Sequence, residues 1–154
     1  MVAQIFKDKR FNTIQVFDGR SALTEIYKNH PDLIILDILL PDIDGFNICK
    51  MLKIERDTNH IPIIMLTGLS SPENISMGLK VGADRYITKP FDIQHLLSEV
   101  SQLLRLRDKY RGSEIISFTL NSELKFLNQL TTLISLSLNR SKLSSIAVAE
   151  VKSG

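Results

Sequence analysis

An acid, a hydroxyl and a cation each stand directly after a short segment rich in β-forming residues. Asp37 follows LIIL, Thr67 follows IPIIML, and Lys89 follows RYIT. A carboxylate can act as a nucleophile, and a hydroxyl and an ammonium group can stabilise negative charge on a group that is being transferred. If the fold brings these three side chains together, their combined chemistry favours nucleophilic attack on an anionic group.

The segments that must position these residues alternate between strand-like and helix-like patterns. The strand-like segments are Thr13–Phe17, Leu33–Leu36, Ile61–Leu66 and Arg85–Thr88, and the helix-like segments are 20–29, 45–56, 71–81 and 92–111. Continuous apolar runs without alternation are typical of strands buried on both faces. Alternating strands and helices indicate βαβ units and a parallel sheet, in which ligands bind beyond the carboxyl ends of the strands. We therefore expect Asp37, Thr67 and Lys89 at one edge of an α/β sheet.

The pattern changes after residue 111. Gly112 and Ser113 interrupt the long amphipathic helix, and the chain then reads as a strand over 115–120 and as helices over 122–138 and 141–151. The sequence thus predicts two segments. The first comprises residues 1–111, and residues 112–154 form a linker and a C-terminal strand–helix extension that we leave unassigned.

Composition restricts the class of protein. The 154 residues carry 19 Lys and Arg against 17 Asp and Glu, a net charge of +2, which is too small to indicate a nucleic-acid partner. The single cysteine, Cys49, is typical of a reducing compartment, and no apolar run approaches the length of about 18 residues that spans a membrane. We expect a cytoplasmic protein without membrane or nucleic-acid contacts. The absence of a Gly-rich phosphate loop, GxSxG and HExxH disfavours a small-molecule enzyme.

Three blocks of this sequence resemble the receiver domains of bacterial response regulators. They are residues 31–45 (PDLIILDILLPDIDG), 61–67 (IPIIMLT) and 82–91 (GADRYITKPF), and the resemblance covers roughly residues 1–107. It implies a flavodoxin-like, doubly wound parallel sheet. It also implies a role in a two-component phosphorelay, with a sensor histidine kinase or a phosphotransfer protein as partner and no enzymatic activity of its own. The output partner stays open.

The resemblance assigns a role to each residue of the predicted site. Asp37 is the phosphoacceptor, which takes a phosphoryl group from a phosphohistidine and forms an acyl phosphate. Thr67 and Lys89 bind the phosphoryl oxygens, where a hydroxyl donor and a fixed cation neutralise charge. Tyr86 is the switch residue that turns inward, and the peptide bond before Pro90 is cis.

The start of the chain departs from the family pattern. Receiver domains begin with a strand that ends in two acidic residues, which hold Mg²⁺, whereas residues 1–10 (MVAQIFKDKR) look like the second half of the following helix. The resemblance thus implies an incomplete sheet, in which Thr13–Phe17 has lost its ladder partner, and a Mg²⁺ site reduced to Asp37 and the Leu39 backbone carbonyl. From this we expect marginal stability and weak phosphorylation.

Two alternatives remain open at this stage. The missing acidic pair fits a protein-interaction module that works without phosphorylation. The second alternative rests on the tail, where residues 117–124 resemble the opening strand and helix of anti-sigma-factor serine-kinase ATPase domains. Residues 146–150 likewise resemble the start of their nucleotide-binding helix. On this alternative, the chain is the regulatory front of an ATP-binding kinase of that type, whereas an amphipathic dimerisation helix would explain the tail more simply.

Overall fold

The structure of the protein, a computed structural model, describes residues 2–8, 11–119 and 145–149. These residues form helices and strands in alternation. They are α1 (Val2–Asp8), β1 (Asn12–Val16), α2 (Gly19–Asn29), β2 (Leu33–Leu36), α3 (Gly45–Ile54), β3 (Ile63–Thr67), α4 (Pro72–Lys80), β4 (Arg85–Thr88), α5 (Ile93–Thr119) and β5 (Ser145–Ala149). The helix predicted over residues 122–138 lies outside the described residues.

The strands form one parallel sheet in the order β1-β5-β2-β3-β4. One face of the sheet packs against α2 and α3 through residues such as Ile26 and Leu52, and the other packs against α1 and α5 through residues such as Phe6 and Val100. Helices on both faces of a parallel sheet define a doubly wound α/β fold. The predicted fold class is therefore confirmed.

The burial of β2 and β3 agrees with their apolar sequences. Every residue of β2 and of β3 is buried. Because both faces of the sheet are covered by helices, neither strand needs the alternation of polar and apolar residues that a half-exposed strand shows. The helix starts also follow local chemistry, since the Asp44 carboxylate accepts the Asn47 N–H at the start of α3 and Ser71 caps α4 before Pro72.

The position between β1 and β2 is filled by a strand from the C-terminal part of the chain. β5 pairs in parallel with β1 on one side and with β2 on the other, so that Ala149 lies opposite both Val16 and Leu36. The prediction of a helix is therefore wrong for residues 145–149, and the prediction of an incomplete sheet without a partner for β1 is also wrong. The physical reason is that two strands with free backbone groups flank this position, and pairing with both satisfies those groups at once.

The long helix α5 also departs from the prediction. It runs to Thr119, across Gly112 and through most of the segment that was predicted as a strand over 115–120. Extending an existing helix adds one hydrogen bond for each residue fixed, whereas a separate strand would need a partner. The predicted boundary between residues 111 and 112 therefore falls inside α5.

These two elements also correct the interpretation of the tail. Residues 117–119 are helical and residues 145–149 form a strand, whereas the resemblance to an ATPase domain implied a strand and a helix at these described positions.

Among the described residues, no helix is both long enough and apolar enough to cross a membrane, and this includes the 27 residues of α5.

Candidate functional site

Asp37 lies directly after β2, at the carboxyl edge of the sheet. Its side chain is buried, with the residue only 5% exposed. Its backbone N–H donates to the Ala149 carbonyl oxygen at 2.8 Å, which extends the pairing of β2 with β5 by one residue. Its Oδ1 accepts a hydrogen bond from the Leu39 N–H at 3.2 Å, so the loop that follows the strand turns back onto the carboxylate. The position and one oxygen of Asp37 are therefore fixed by backbone contacts.

Lys89 provides the cation that faces this carboxylate. Its Nζ lies 2.7 Å from the second oxygen of Asp37, Oδ2, and the Lys89 side chain is 36% exposed. The backbone N–H of Lys89 donates to the Thr67 carbonyl oxygen at 2.8 Å, and the Lys89–Pro90 peptide bond is cis, as the resemblance implied. The ion pair is thus open to solvent on the lysine side, where an anionic group could approach.

Thr67 ends β3, the strand between Asp37 and Lys89. The residue is fully buried and lies opposite Thr88 in the ladder between β3 and β4. Its Oγ1 accepts a hydrogen bond from the Leu69 N–H at 3.4 Å. The acid, the hydroxyl residue and the cation therefore come from the ends of β2, β3 and β4, and the predicted placement at one edge is confirmed.

Tyr86 is half-buried on β4, and its hydroxyl donates to the Leu69 carbonyl oxygen at 2.8 Å. Its ring lies against Gly78, where an added Cβ would come within 2.5 Å of the ring carbon Cδ2. Burial raises the pKa of Tyr86, and the negative charge of Asp37 raises it further. Leu69 thus connects two of the predicted residues, because its N–H contacts Thr67 and its carbonyl oxygen contacts Tyr86.

Two more aspartates in the loop after β2 have structural contacts. The Asp42 carboxylate accepts the N–H groups of Gly19 and Arg20 at 2.6 and 2.9 Å, and these backbone hydrogen bonds, that from Gly19 foremost, lower its pKa. It therefore ties the Asp37 loop to the start of α2. Asp44 caps α3, where its Oδ1 accepts the Asn47 N–H at 3.0 Å. Sequence reasoning missed the contact of Asp42 because its partners lie more than 20 residues away and have no motif.

The described residues do not make a complete Mg²⁺ site. This ion prefers octahedral coordination by oxygen, and no group of three His, Cys, Asp or Glu side chains suited to a metal occurs in the described part of the chain. Asp37 supplies one carboxylate, and both of its oxygens already accept hydrogen bonds. The predicted incomplete site of Asp37 and the Leu39 carbonyl stays a prediction.

This fold and site define a class of protein. Asp37 and Lys89 in contact, with Thr67 on the strand between them, lie at the carboxyl edge of a doubly wound sheet. The family model for the response regulator receiver domain matches residues 1–101. The chain therefore belongs to the response regulator receiver family, the phosphorylated signalling modules of two-component systems.

Two relatives show how similar this sequence is to those of known response regulators. The chain is 44% identical over 93 residues to the probable transcriptional regulator ycf27 of Galdieria sulphuraria, covering 60% of this chain and 35% of that protein. It is 39% identical over 111 residues to the DNA-binding dual master transcriptional regulator RpaA of Synechocystis, covering 70% of this chain and 46% of that protein. The chain thus spans less than half the length of these curated relatives.

A solved structure agrees with the fold. A response regulator structure from Chloroflexus aurantiacus superposes with a TM-score of 0.65 at 35% identity, covering 68% of this chain and 86% of that one. The BeF3-activated receiver domain of RstA from Klebsiella pneumoniae gives a TM-score of 0.63 at 32% identity, covering 68% of this chain and 86% of that one.

Replacing Gly45 with alanine is expected to destabilise the protein by about 1–3 kcal/mol. An added Cβ would lie 2.4 Å from the Asp37 carbonyl oxygen and 2.8 Å from the Ile38 Cα, and backbone atoms cannot rotate away as a side chain can. Urea unfolding measures the difference. Gly68→Ala is the matched control, because no heavy atom lies within 4 Å of a Cβ there. Equal midpoints for the two variants would contradict this packing of α3 against Asp37.

Proposed function

We propose that this chain is a phosphoacceptor in a two-component phosphorelay and that Asp37 carries the phosphoryl group. The observation that carries the proposal is the contact of 2.7 Å between Lys89 Nζ and Asp37 Oδ2 at the carboxyl edge of the sheet. A buried carboxylate that is held by backbone hydrogen bonds and faces a solvent-accessible cation is suited to receive an anionic group. Thr67, from the strand between them, adds a hydroxyl at the same edge.

The reaction transfers one phosphoryl group between two proteins. A carboxylate oxygen of Asp37 attacks the phosphorus of a phosphohistidine, an O–P bond forms, and the N–P bond breaks with its electron pair going to the imidazole. The product is an acyl phosphate on Asp37, and the imidazole of the donor takes up a proton from solvent. The donor is a sensor histidine kinase or a phosphotransfer protein.

Lys89 and Thr67 stabilise the charge that moves during this step. The transferred group carries negative charge on its equatorial oxygens, so that catalysis consists largely of positioning and charge neutralisation. The ammonium group of Lys89 already lies beside the nucleophile and can bind a phosphoryl oxygen with a small displacement. The Thr67 hydroxyl now accepts from the Leu69 N–H, which leaves its own hydrogen available for a phosphoryl oxygen.

The same contacts could transmit a conformational change from the phosphorylated Asp37 to Tyr86. A movement of Thr67 toward the phosphoryl group would alter its hydrogen bond with Leu69. The carbonyl of Leu69 holds the Tyr86 hydroxyl, so that both contacts of this residue change together. We therefore propose Tyr86 as the residue that reports phosphorylation to the surface of α4 and β4.

Receiver domains generally bind Mg²⁺, but the described residues of this chain supply only part of such a site. No step of the proposed reaction is therefore assigned to the metal. Glu150 follows β5 in the sequence and lies outside the described residues. The prediction of weak phosphorylation rests on the ligands that the described residues supply, and it stays a prediction.

We expect acetyl phosphate with Mg²⁺ to leave most of the protein unmodified, because the described residues offer one carboxylate to a cation that prefers six oxygens. Intact mass spectrometry measures the modified fraction. Full conversion to the phosphorylated form that depends on Mg²⁺ would contradict this expectation and would indicate a complete metal site.

Lys89→Met is expected to slow phosphoryl transfer to Asp37 by about 100-fold, the typical cost of removing one donor that stabilises transferred charge. The rate of transfer from a phosphorylated histidine donor, followed with radiolabelled phosphate, measures the effect. Lys50→Met is the matched control, since Lys50 is exposed on α3. A rate for K89M within about twofold of that of K50M would remove Lys89 from the mechanism.

The partners of the whole protein are proposals, because the chain spans less than half of its curated relatives. RpaA, and MtrA of Mycobacterium tuberculosis, are named as DNA-binding regulators. We propose that the present chain contributes the receiver function. The expectation that this chain itself binds no nucleic acid stays a prediction, based on its net charge of +2.

The alternatives have less support. A module that works without phosphorylation would not need the contact between Lys89 and Asp37. The kinase alternative implied a strand where residues 117–119 are helical and a helix where residues 146–149 form a strand.

A further inference from the structure

β5 lies between β1 and β2 in the sheet, and a long connecting segment separates it from the preceding helix, α5. β5 is joined to α5 through residues 120–144, a segment of 25 residues. By contrast, β1 and β2 are joined through the single helix α2. A segment of 25 residues can span roughly 80 Å when extended, which is far more than the dimensions of a domain of this size. The length of the connection therefore allows β5 to reach a neighbouring molecule.

The described contacts of β5 are made by its backbone and by buried apolar side chains. Ala147 and Ala149 are buried on the side of α2 and α3, and Ile146 and Val148 on the side of α1 and α5. The pairing extends over five residues with β1 and over four with β2. None of these contacts depends on which copy of the chain supplies the strand, because a second copy carries the same five residues.

We propose that the slot between β1 and β2 is a docking site for an exchangeable strand, and that β5 of a second copy of this chain can occupy it. Exchange of an identical element is a route to dimers that creates few new contacts. An empty slot would leave the facing backbone groups of β1 and β2 without partners, at a cost of about 1–3 kcal/mol each. The slot is therefore occupied either by the strand of its own chain or by that of the partner.

In an exchanged dimer, both copies of the chain would contribute backbone contacts to the candidate site. The Ala149 carbonyl oxygen accepts the hydrogen bond from the Asp37 N–H at 2.8 Å, and in an exchanged dimer this oxygen comes from the second copy. The exchange itself does not rest on the proposed function, but its consequence for phosphorylation of Asp37 does.

Protein concentration is expected to control the exchange. A strand tethered to its own slot has an effective concentration in the millimolar range, so that exchange increases as the protein concentration approaches about 1 mM.

Disulfide trapping tests the exchange without reference to phosphorylation. Asn12 and Ser145 are partners in the ladder between β1 and β5, and paired residues on neighbouring strands lie within the distance of about 4.4–6.8 Å between Cα atoms that a disulfide requires. The full-length variants Asn12→Cys and Ser145→Cys are mixed at about 1 mM, unfolded in urea, refolded together and oxidised. Burial raises the pKa of the native Cys49 to about 11, so that this thiol does not compete.

We expect a disulfide-linked dimer of the two variants, at least fivefold above a control mixture of Ser145→Cys with Gln94→Cys, whose added thiol is on an exposed residue of α5. The dimer should decrease when the protein is refolded under dilute conditions. The double variant N12C/S145C should close an intrachain disulfide when dilute. A dimer at the control level, with the intrachain disulfide formed in full, would overturn the exchange. Failure of the double variant to close would overturn the docking site itself.

Discussion

Val148→Asp is expected to destabilise the protein severely. Val148 is fully buried in β5, between α1 and α5 on one face of the sheet. An unpaired carboxylate at such a position costs about 3–5 kcal/mol, which is a large part of the total stability of a typical domain, about 5–15 kcal/mol. Circular dichroism and thermal unfolding measure the loss. Val148→Ala removes only two methyl groups and should cost about 2 kcal/mol, which leaves the protein folded and the effect measurable.

Ile54→Asp provides the control for this result. Ile54 stands at the end of α3 and is 71% exposed, so that the same charge there should change stability by less than about 0.5 kcal/mol. If V148D unfolds at the same temperature as I54D, then β5 does not occupy the position between β1 and β2 in solution.

The placement of β5 also changes the expected stability of the wild-type protein. Marginal stability was predicted because β1 had no partner, but β1 pairs along its whole length with β5. We therefore expect a single cooperative unfolding transition, as small domains usually show.

Asp37→Asn is expected to abolish phosphorylation. An amide is a poor nucleophile and cannot form the acyl phosphate, and no other described acid contacts Lys89. Incorporation of radiolabelled phosphate from a phosphorylated histidine donor should fall by more than about 100-fold, because the nucleophile itself is lost. The amide is close to the carboxylate in size, so that the fold should be retained.

Asp57→Asn is the matched control for this variant. Asp57 is an exposed acid in the turn after α3, and its replacement should leave the rate of phosphorylation unchanged. Undiminished labelling of D37N, with the same unfolding midpoint as the wild type, would show that the phosphoryl group is carried elsewhere.

The parallel sheet and the placement of the candidate site could be predicted from the sequence. Unbroken apolar runs such as LIIL are typical of buried parallel strands, and the carboxyl ends of such strands meet at one edge. That reasoning places Asp37, Thr67 and Lys89 together before any distance is known. The start of α3 was also predictable, because Asp44 has a local role as a helix cap.

The position of β5 could not be predicted in this way. The segment SIAVA is a short apolar run, and periodicity does not distinguish a buried strand from a piece of helix at that length. Its conformation depends on pairing with β1 and β2, which are remote in sequence. The extension of α5 through β-branched residues up to Thr119 is a second case in which the context of a neighbouring element prevails over local preference.

The contacts around the site are likewise properties of the folded chain. The hydrogen bond of Tyr86 to the Leu69 carbonyl and those of Asp42 to the start of α2 join loops without any motif. The sequence identifies the side chains that could take part in a reaction. The backbone groups that orient these side chains become known only once the loops are placed.

Locating the phosphoryl group tests the central claim most directly. Borohydride reduces an acyl phosphate of aspartate to homoserine, and tryptic cleavage places Asp37 in the peptide 29–50, together with Asp32, Asp42 and Asp44. After reaction with a phosphorylated histidine donor, fragmentation of this peptide identifies the reduced position. We predict homoserine at position 37 alone. Homoserine at position 32, 42 or 44, or acid-labile phosphate retained without any reduced aspartate, would contradict the assignment of Asp37 as the phosphoacceptor.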